Sequence, residues 1–388
     1  MTTAAPRPET LQILRRLVEF DTTSRNSNLP LIDWVEDYLT PLGARCERVF
    51  DVTGQKASLW VTFGPEGVPG IVLSGHTDTV PVEGQDWSCP PHQVTERDGL
   101  LYGRGTSDMK GFLACCLAMA PDIAAADLQV PIHFAFTYDE EVGCLAVRPL
   151  LAHLEARDIH PRGIIVGEPT MMRVAVGHKS KRNLRATIIG TAGHSGRAPE
   201  FVNAVHYGAR LIVKIQDMAT RLAQDVQDDL YDIPCTTAHV GVAQGGSALN
   251  IVPDRFEFIF EFRAIAAHDL DDLVAEVEAH ARDVLLPEMH AVDPRAEIRI
   301  DVLADSPGVD IAPDAPLAQA AQRYAQRNDL TKIIYGTEGG IFEKVGGIPT
   351  VICGPGSIDV AHKEDEYVEP AQLALCEAFI ARLIADCI

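Results

Sequence analysis

Residues 1–176 alternate two kinds of segment. Short apolar runs, "KASLWVTFG", "GIVLSGH", "PIHFAFTYDEE" and "GIIVGEPT", are bounded by glycine or proline. Stretches of helical spacing lie between them. Near the start, Leu11, Leu14, Leu17 and Val18 share one helical face, with Arg15, Arg16 and Glu19 off it. Apolar runs of this length separated by helices predict an α/β fold, a largely parallel sheet sandwiched by helices. The same grammar returns at the end of the chain. There "PLAQAAQRYAQRN" reads as a helix, "KIIYG" and "IPTVICGPG" as strands, and residues 370–386 as a final helix.

The middle reads differently. A strand is expected at 182–190, a helix around 202–223, strands at 236–244 and 254–264, a helix at 269–286 and a strand at 296–303. Strict alternation in "RFEFIFEFRA" fits a sheet with one face packed and one face wet. The order β-α-β-β-α-β is the split-βαβ (ferredoxin-like) arrangement. It predicts a domain over 178–304 inserted into another built from 1–177 and 305–388. Length agrees, since 388 residues exceed the ~250–300 at which single cores stop growing.

With 46% hydrophobic and 23% charged residues, the composition is that of a soluble globular protein. A net charge of -22 repels nucleic acid and anionic lipid and excludes both as main partners. No apolar stretch is long enough to span a membrane, and the first twenty residues lack the uninterrupted apolar core of a leader. The nine cysteines are scattered without a C-x-x-C pair, which points to reduced thiols, Cys115 and Cys116 among them, in a cytoplasmic protein.

The apolar runs end in chemistry. "GIVLSGHTDTV" delivers His76 and Asp78, "FAFTYDEE" delivers Asp139, Glu140 and Glu141, "GIIVGEPT" delivers Glu168, and "IPTVICGPGSIDVAHKEDE" delivers His362 a short loop later. Ligands bind outside the carboxyl ends of strands in open α/β sheets, so these groups can converge although far apart in sequence. The loop "LYGRGTSDMKG" opens like a dinucleotide fingerprint at Gly103 and Gly105, but Asp108 stands at the third glycine position. A carboxylate there excludes phosphate and suits a bridge between two cations, which sets aside a nucleotide-dependent dehydrogenase. Two histidines and several carboxylates suit zinc first, with cobalt or manganese also fitting. Asp78 is expected to accept the other N–H of the His76 ring and fix its tautomer.

The motifs "SGHTDTVP", "GRGTSDMKG", "YDEEVG", "GEPT" and "AHKEDEYV", in that order, resemble those of the dinuclear zinc amidohydrolases and peptidases, a family that includes aminoacylases, desuccinylases and carboxypeptidases. The resemblance implies that His76, Asp108 and Glu168 hold one metal and Asp108, Glu141 and His362 the other, with Glu140 as general base. It also implies that the inserted domain is a lid and homodimer contact. From it, His194 in "TAGHSGRAPEFVNAV" would reach the partner's active site to steady the oxyanion. "GGSALNIVP" and "FEFRA" nominate Asn250 and Arg263 for substrate binding, Arg263 as a clamp on a carboxylate, and "YGTEGGIF" nominates Gly336 and Thr337. Phe201 departs from the family pattern, which has glycine there. Within the family, "GTEGG" with "CGPGSIDVAHKEDEYV" is most similar to the acetylornithine deacetylases. The implied reaction is removal of the acyl group from a small-molecule N-acyl amino acid, N2-acetylornithine first, with desuccinylation, other deacylations or dipeptide hydrolysis as the alternatives.

Overall fold

The computed structural model describes residues 5–388. In chain order the strands that matter for the site are β1 (Arg45–Phe50), β2 (Ala57–Phe63), β3 (Ile71–His76), β4 (Ile132–Thr137), β5 (Gly163–Pro169) and β6 (Val174–His178). They are followed by β7 (Ser180–Ile189), β8 (Thr237–Gly245), β9 (Arg255–Ala264), β10 (Glu297–Ser306) and β11 (Thr350–Gly354). The chain divides into two compact units, one running up to Gly177 and resuming with Val309–Lys332 and Thr337–Ile388, the other His178–Gly308 with Ile333–Gly336. The return crossing lies beyond the 304/305 expected from sequence, because β10 continues to Ser306.

In the first unit a nine-stranded sheet carries the order β1-β2-β4-β3-β5-β11-β6 along its main path. Its centre is parallel: β4 with β3, β3 with β5 and β5 with β11. The flanks are antiparallel, β1 with β2 and β2 with β4 on one side, β11 with β6 on the other. Every residue of β3, β4, β5 and β11 is buried, as a sheet covered on both faces requires. The helix Lys110–Ala125 is buried from Lys110 to Ala120 and packs against the helices Pro8–Glu19 and Pro370–Asp386. A Cβ on Gly167 would stand 2.1 Å from the Phe112 ring, so only glycine lets β5 approach this helix. That close approach sets the height of the next residue, Glu168.

The second unit is a four-stranded antiparallel sheet in the order β8-β9-β7-β10. With the helices Ala204–Leu222 and Leu270–His280 it forms the split-βαβ arrangement read from the sequence. Phe256, Phe258, Phe260 and Phe262 of β9 point into the core, the last three almost fully buried, while Glu257, Glu261 and Arg263 take the other face. Asn203 and Asp269 cap the two helices by accepting backbone N–H groups, the usual work of Asn and Asp at that position.

Candidate metal centre

Four adjacent parallel strands end on the same edge of the first unit, and each carries a chemistry-bearing side chain there. His76 is the last residue of β3, Glu168 the penultimate residue of β5, Asp139–Glu141 follow β4, and His362 follows β11 through a short turn. Asp108 arrives from the loop before the helix Lys110–Ala125. The ligating atoms fall into two groups, His76, Asp108 and Glu168, and Asp108, Glu141 and His362, each group lying within 4.8 Å.

Asp108 belongs to both groups, and its two oxygens face opposite ways. Oδ1 lies 3.1 Å from His76 Nε2, and Oδ2 lies 3.2 Å from His362 Nε2. Glu141 Oε2 is 3.0 Å from His362 Nε2, and Glu168 Oε1 is 3.7 Å from His76 Nε2. His76 Nδ1 lies 2.9 Å from the backbone carbonyl of Asp78, which accepts an N–H from it. In the neutral ring Nε2 is then left with a lone pair, facing carboxylate oxygens that also carry lone pairs. A second proton on the ring, which the neighbouring acids favour in the metal-free protein, or a bound cation reconciles three acceptors aimed at one another.

The electrostatics agree. Among the described residues Asp108, Glu141 and Glu168 form ion pairs with histidines alone. Burial, aided by the charge on Asp108, holds the Glu168 carboxyl well above the ordinary carboxylate range, and its Oε1 is buried without a hydrogen-bond partner. An orphaned buried acceptor of this kind costs about 1–3 kcal/mol unless something satisfies it. Burial opposes the charge on Asp108, but hydrogen bonds from His362 and His76 outweigh it and hold that carboxyl low. Hydrogen bonds to Asp108 and then Glu141 push the His362 ring up to about 10. The donor set of two imidazoles and three carboxylates, one of them shared, fits two divalent cations.

Glu140 stands beside these ligands. Burial, with Glu141 and Asp108 nearby, pushes its carboxyl up to about 8, close to the pKa that suits proton transfer at neutral pH. The Cys144 thiol lies 3.3 Å from its Oε1 and donates to it. Asp139 takes a left-handed φ of 56° and is tied to Lys56 Nζ at 2.5 Å, which fixes the turn that aims its two neighbours.

Asp78 corrects one expectation. Its carboxylate Oδ1 is 3.5 Å from His76 Nδ1, farther than its own backbone carbonyl at 2.9 Å, and its Oδ2 accepts the Ser24 hydroxyl at 2.7 Å. The backbone N–H groups of Glu140 and Glu141 donate to the same carboxylate at 3.2 and 3.4 Å. Asp78 therefore anchors the base-bearing turn as well as the imidazole.

The remaining expected residues belong to other surroundings. Thr337 is buried in the first unit, where its Oγ1 accepts from Gly339 N at 3.0 Å; Gly336 clusters with the second unit and has open space where a side chain would be. In the second unit His194 is exposed, pairs with Ile251 across a short ladder, and its Nδ1 accepts from Gly196 N at 3.0 Å. Asn250 adjoins it, since its carbonyl accepts from Ser195 N at 3.0 Å. Arg263 is held by Glu261 at 2.8 and 3.3 Å and donates to the Ile334 carbonyl. Phe201 lays its ring where a Cβ on Gly193 would fall, 2.2 Å from Cε2, so it packs against the residue that precedes His194.

Sequence reading passed over Ser24, Lys56 and two buried acids. Glu338 accepts from Ser74 Oγ at 2.6 Å and Thr137 Oγ1 at 2.7 Å, linking β3 to β4 below the site. Glu366 is bound by Arg104 at 2.7 Å. The only signal for either was its place inside the quoted loops "GTEGG" and "AHKEDEYV".

A profile of the peptidase family M20/M25/M40 matches residues 72–386. Acetylornithine deacetylase of Myxococcus xanthus is 32% identical over 96% of this chain and 96% of its own. The protein of the same name from Pasteurella multocida is 30% identical over 98% of each. Among solved structures, aminopeptidase PepT from Bacillus cereus shares the fold with a TM-score of 0.80 at 22% identity, covering 99% of both chains. The YXEP protein of Bacillus subtilis, a dinuclear metal binding peptidase of the M20 family, has a TM-score of 0.68 at 14% identity over 98% of both.

Proposed function

The chain belongs to the peptidase family M20/M25/M40, and on that premise we propose that it is a two-metal amide hydrolase that deacylates N-acyl amino acids, N2-acetyl-L-ornithine first. The observation that carries this reading is Asp108, whose two oxygens each face a different imidazole within a different ligand group. The reaction takes the N-acyl amino acid and water to the free amino acid and, for the acetyl substrate, acetate. Full-length relatives named acetylornithine deacetylase support the choice of substrate and, with it, a place in arginine biosynthesis.

His76, Asp108 and Glu168 would hold one cation, and Asp108, Glu141 and His362 the other. Zinc is our choice, with cobalt next, since both accept mixed imidazole and carboxylate donors. When bound, such ions supply Lewis acidity at the scissile carbonyl and acidify water. Glu140 takes the proton of the attacking water and returns it to the leaving amine, work typically worth ~10²–10⁴-fold in rate. Asp78 holds the Glu140–Glu141 turn by its two backbone N–H groups, so base and ligand are placed together.

In this reading the inserted unit is the lid and the homodimer contact. His194, with Asn250 beside it, steadies the developing oxyanion from the partner subunit, Arg263 receives the substrate carboxylate, and Gly336 and Thr337 line the approach. A guanidinium already shared with Glu261 must turn part of its fork to the substrate to do so. All nine cysteines are free, which supports a reducing, cytoplasmic setting. No helix among the described residues is long and apolar enough to cross a membrane.

A panel of N-acetyl, N-succinyl and other N-acyl amino acids and dipeptides, scored by amine release before and after chelation, tests the reading. Fastest release from N2-acetylornithine, abolished by the chelator and restored by Zn²⁺, is the expected result. Preference for a succinyl or dipeptide substrate replaces the substrate; turnover insensitive to chelation overturns the mechanism.

A further inference from the structure

We propose that Arg104, Glu366 and Gln85 form a positioning network that holds Asp108 and His362 in their cation-binding geometry. The inference deepens the two-cation reading and rests on it. The Glu366 carboxylate is fully buried, and both of its oxygens grip the loop that ends in Asp108. Oε1 accepts Ser107 N at 2.8 Å and Asp108 N at 3.0 Å; Oε2 accepts Gly105 N at 3.0 Å and Arg104 Nη1 at 2.7 Å. The shared ligand is thus pinned by its own backbone N–H.

The same guanidinium reaches the second ligand. Arg104 Nη2 donates to Gln85 Oε1 at 2.6 Å, and Gln85 Nε2 donates to the His362 carbonyl at 2.8 Å. Three segments distant in sequence are closed into a ring that contains Asp108 on one side and His362 on the other. His362 needs an external restraint: its φ is 62°, a left-handed conformation that residues other than glycine adopt at a cost. An arginine suits the junction because its planar fork serves two acceptors at once, which a lysine cannot do with fixed geometry.

The test titrates Zn²⁺ into the chelator-treated full-length chain by calorimetry, for wild type, Glu366→Gln, Arg104→Lys and Gln85→Ala. Melting of each metal-stripped protein is followed in parallel. Wild type is expected to bind two ions. Glu366→Gln and Arg104→Lys should weaken both events by ~10–100-fold, the usual cost of losing a group that orients a ligand, because Asp108 serves both ions. Gln85→Ala should weaken mainly the event that uses His362. A merely structural pair would lower the melting temperature and leave the isotherms of the folded variants as in wild type; that result overturns the proposal. Should the two buried variants fail to fold, half-buried Gln85 decides alone, and an unchanged two-event isotherm for Gln85→Ala overturns it. A wild type that binds no Zn²⁺ overturns the two-cation reading and the network's role with it. Two ions bound by wild type, and bound equally well by the variants, overturn the network alone.

Discussion

Two buried acids on the same edge of the sheet have opposite surroundings. Glu366 is satisfied by the protein itself, with an arginine and three backbone N–H groups on its two oxygens. Glu168 has an oxygen that is buried and bonded to nothing, among other acids and a histidine. Two buried histidines on neighbouring strands repeat the contrast. His133 on β4 lies against Thr62 and the Trp60 ring, and burial pushes it down to about 4. Burial also opposes the charge on His76 on β3, yet Asp108 and Asp78 hold that ring well above its ordinary value. Folding pairs Glu366 with Arg104 and keeps His133 neutral, while Glu168 and His76 are left in a cluster of acids that a bound cation would complete. Unsatisfied buried charge concentrated at strand ends is the physical mark of the site.

The largest effect is expected from the base. Glu140→Ala should retain two metal equivalents and lose ~10²–10⁴-fold in kcat. Metal analysis beside steady-state kinetics checks it, and an active variant removes Glu140 from that role. Next in size is Glu366→Gln, which breaks a fully buried ion pair and should destabilise the metal-stripped protein by about 3–5 kcal/mol, read by urea unfolding.

The acid limb of stability comes third. Above the ordinary histidine pKa of 6.5, His133 is neutral in both folded and unfolded chains and costs nothing. Below it the unfolded chain takes up a proton that the folded chain refuses until about 4. Stability should therefore fall across that window, by about 3 kcal/mol at most from this one group. NMR titration of the ring in the folded protein checks the premise; a His133 that protonates near 6.5 refutes it. The smallest effect, and the most telling for the contrast, is Glu168→Gln. With no hydrogen bond to lose at Oε1 and repulsion relieved, the metal-stripped protein should gain up to about 1 kcal/mol while cation affinity falls. A loss of stability as large as that of Glu366→Gln would erase the distinction between the two acids.

His76, Glu141, Glu168 and His362 were legible because each ends or follows an apolar run, and strand ends of a parallel sheet share an edge whatever their separation in sequence; Asp108 was marked by its place in the loop "LYGRGTSDMKG". The phenylalanine alternation of β9 made the inserted sheet equally plain. The joining of Arg104, Gln85 and Glu366 was not legible, because the pair Arg104–Glu366 spans 262 positions and a place inside two separate motifs does not show that the two side chains meet. Nor could sequence show that the His76 ring is oriented first by a backbone carbonyl, since carbonyls are present at every position. The boundary near Gly308 was misplaced because β10 continues past the alternating segment "AEIRIDV" through residues whose polarity no longer alternates.

The most direct measurement is anomalous scattering from crystals of the zinc-loaded protein. Two peaks are expected on either side of the Asp108 carboxylate, one against His76 and Glu168 and the other against Glu141 and His362. A zinc-loaded crystal with no peak at Asp108, or with a single ion that leaves one imidazole unligated, would contradict the account.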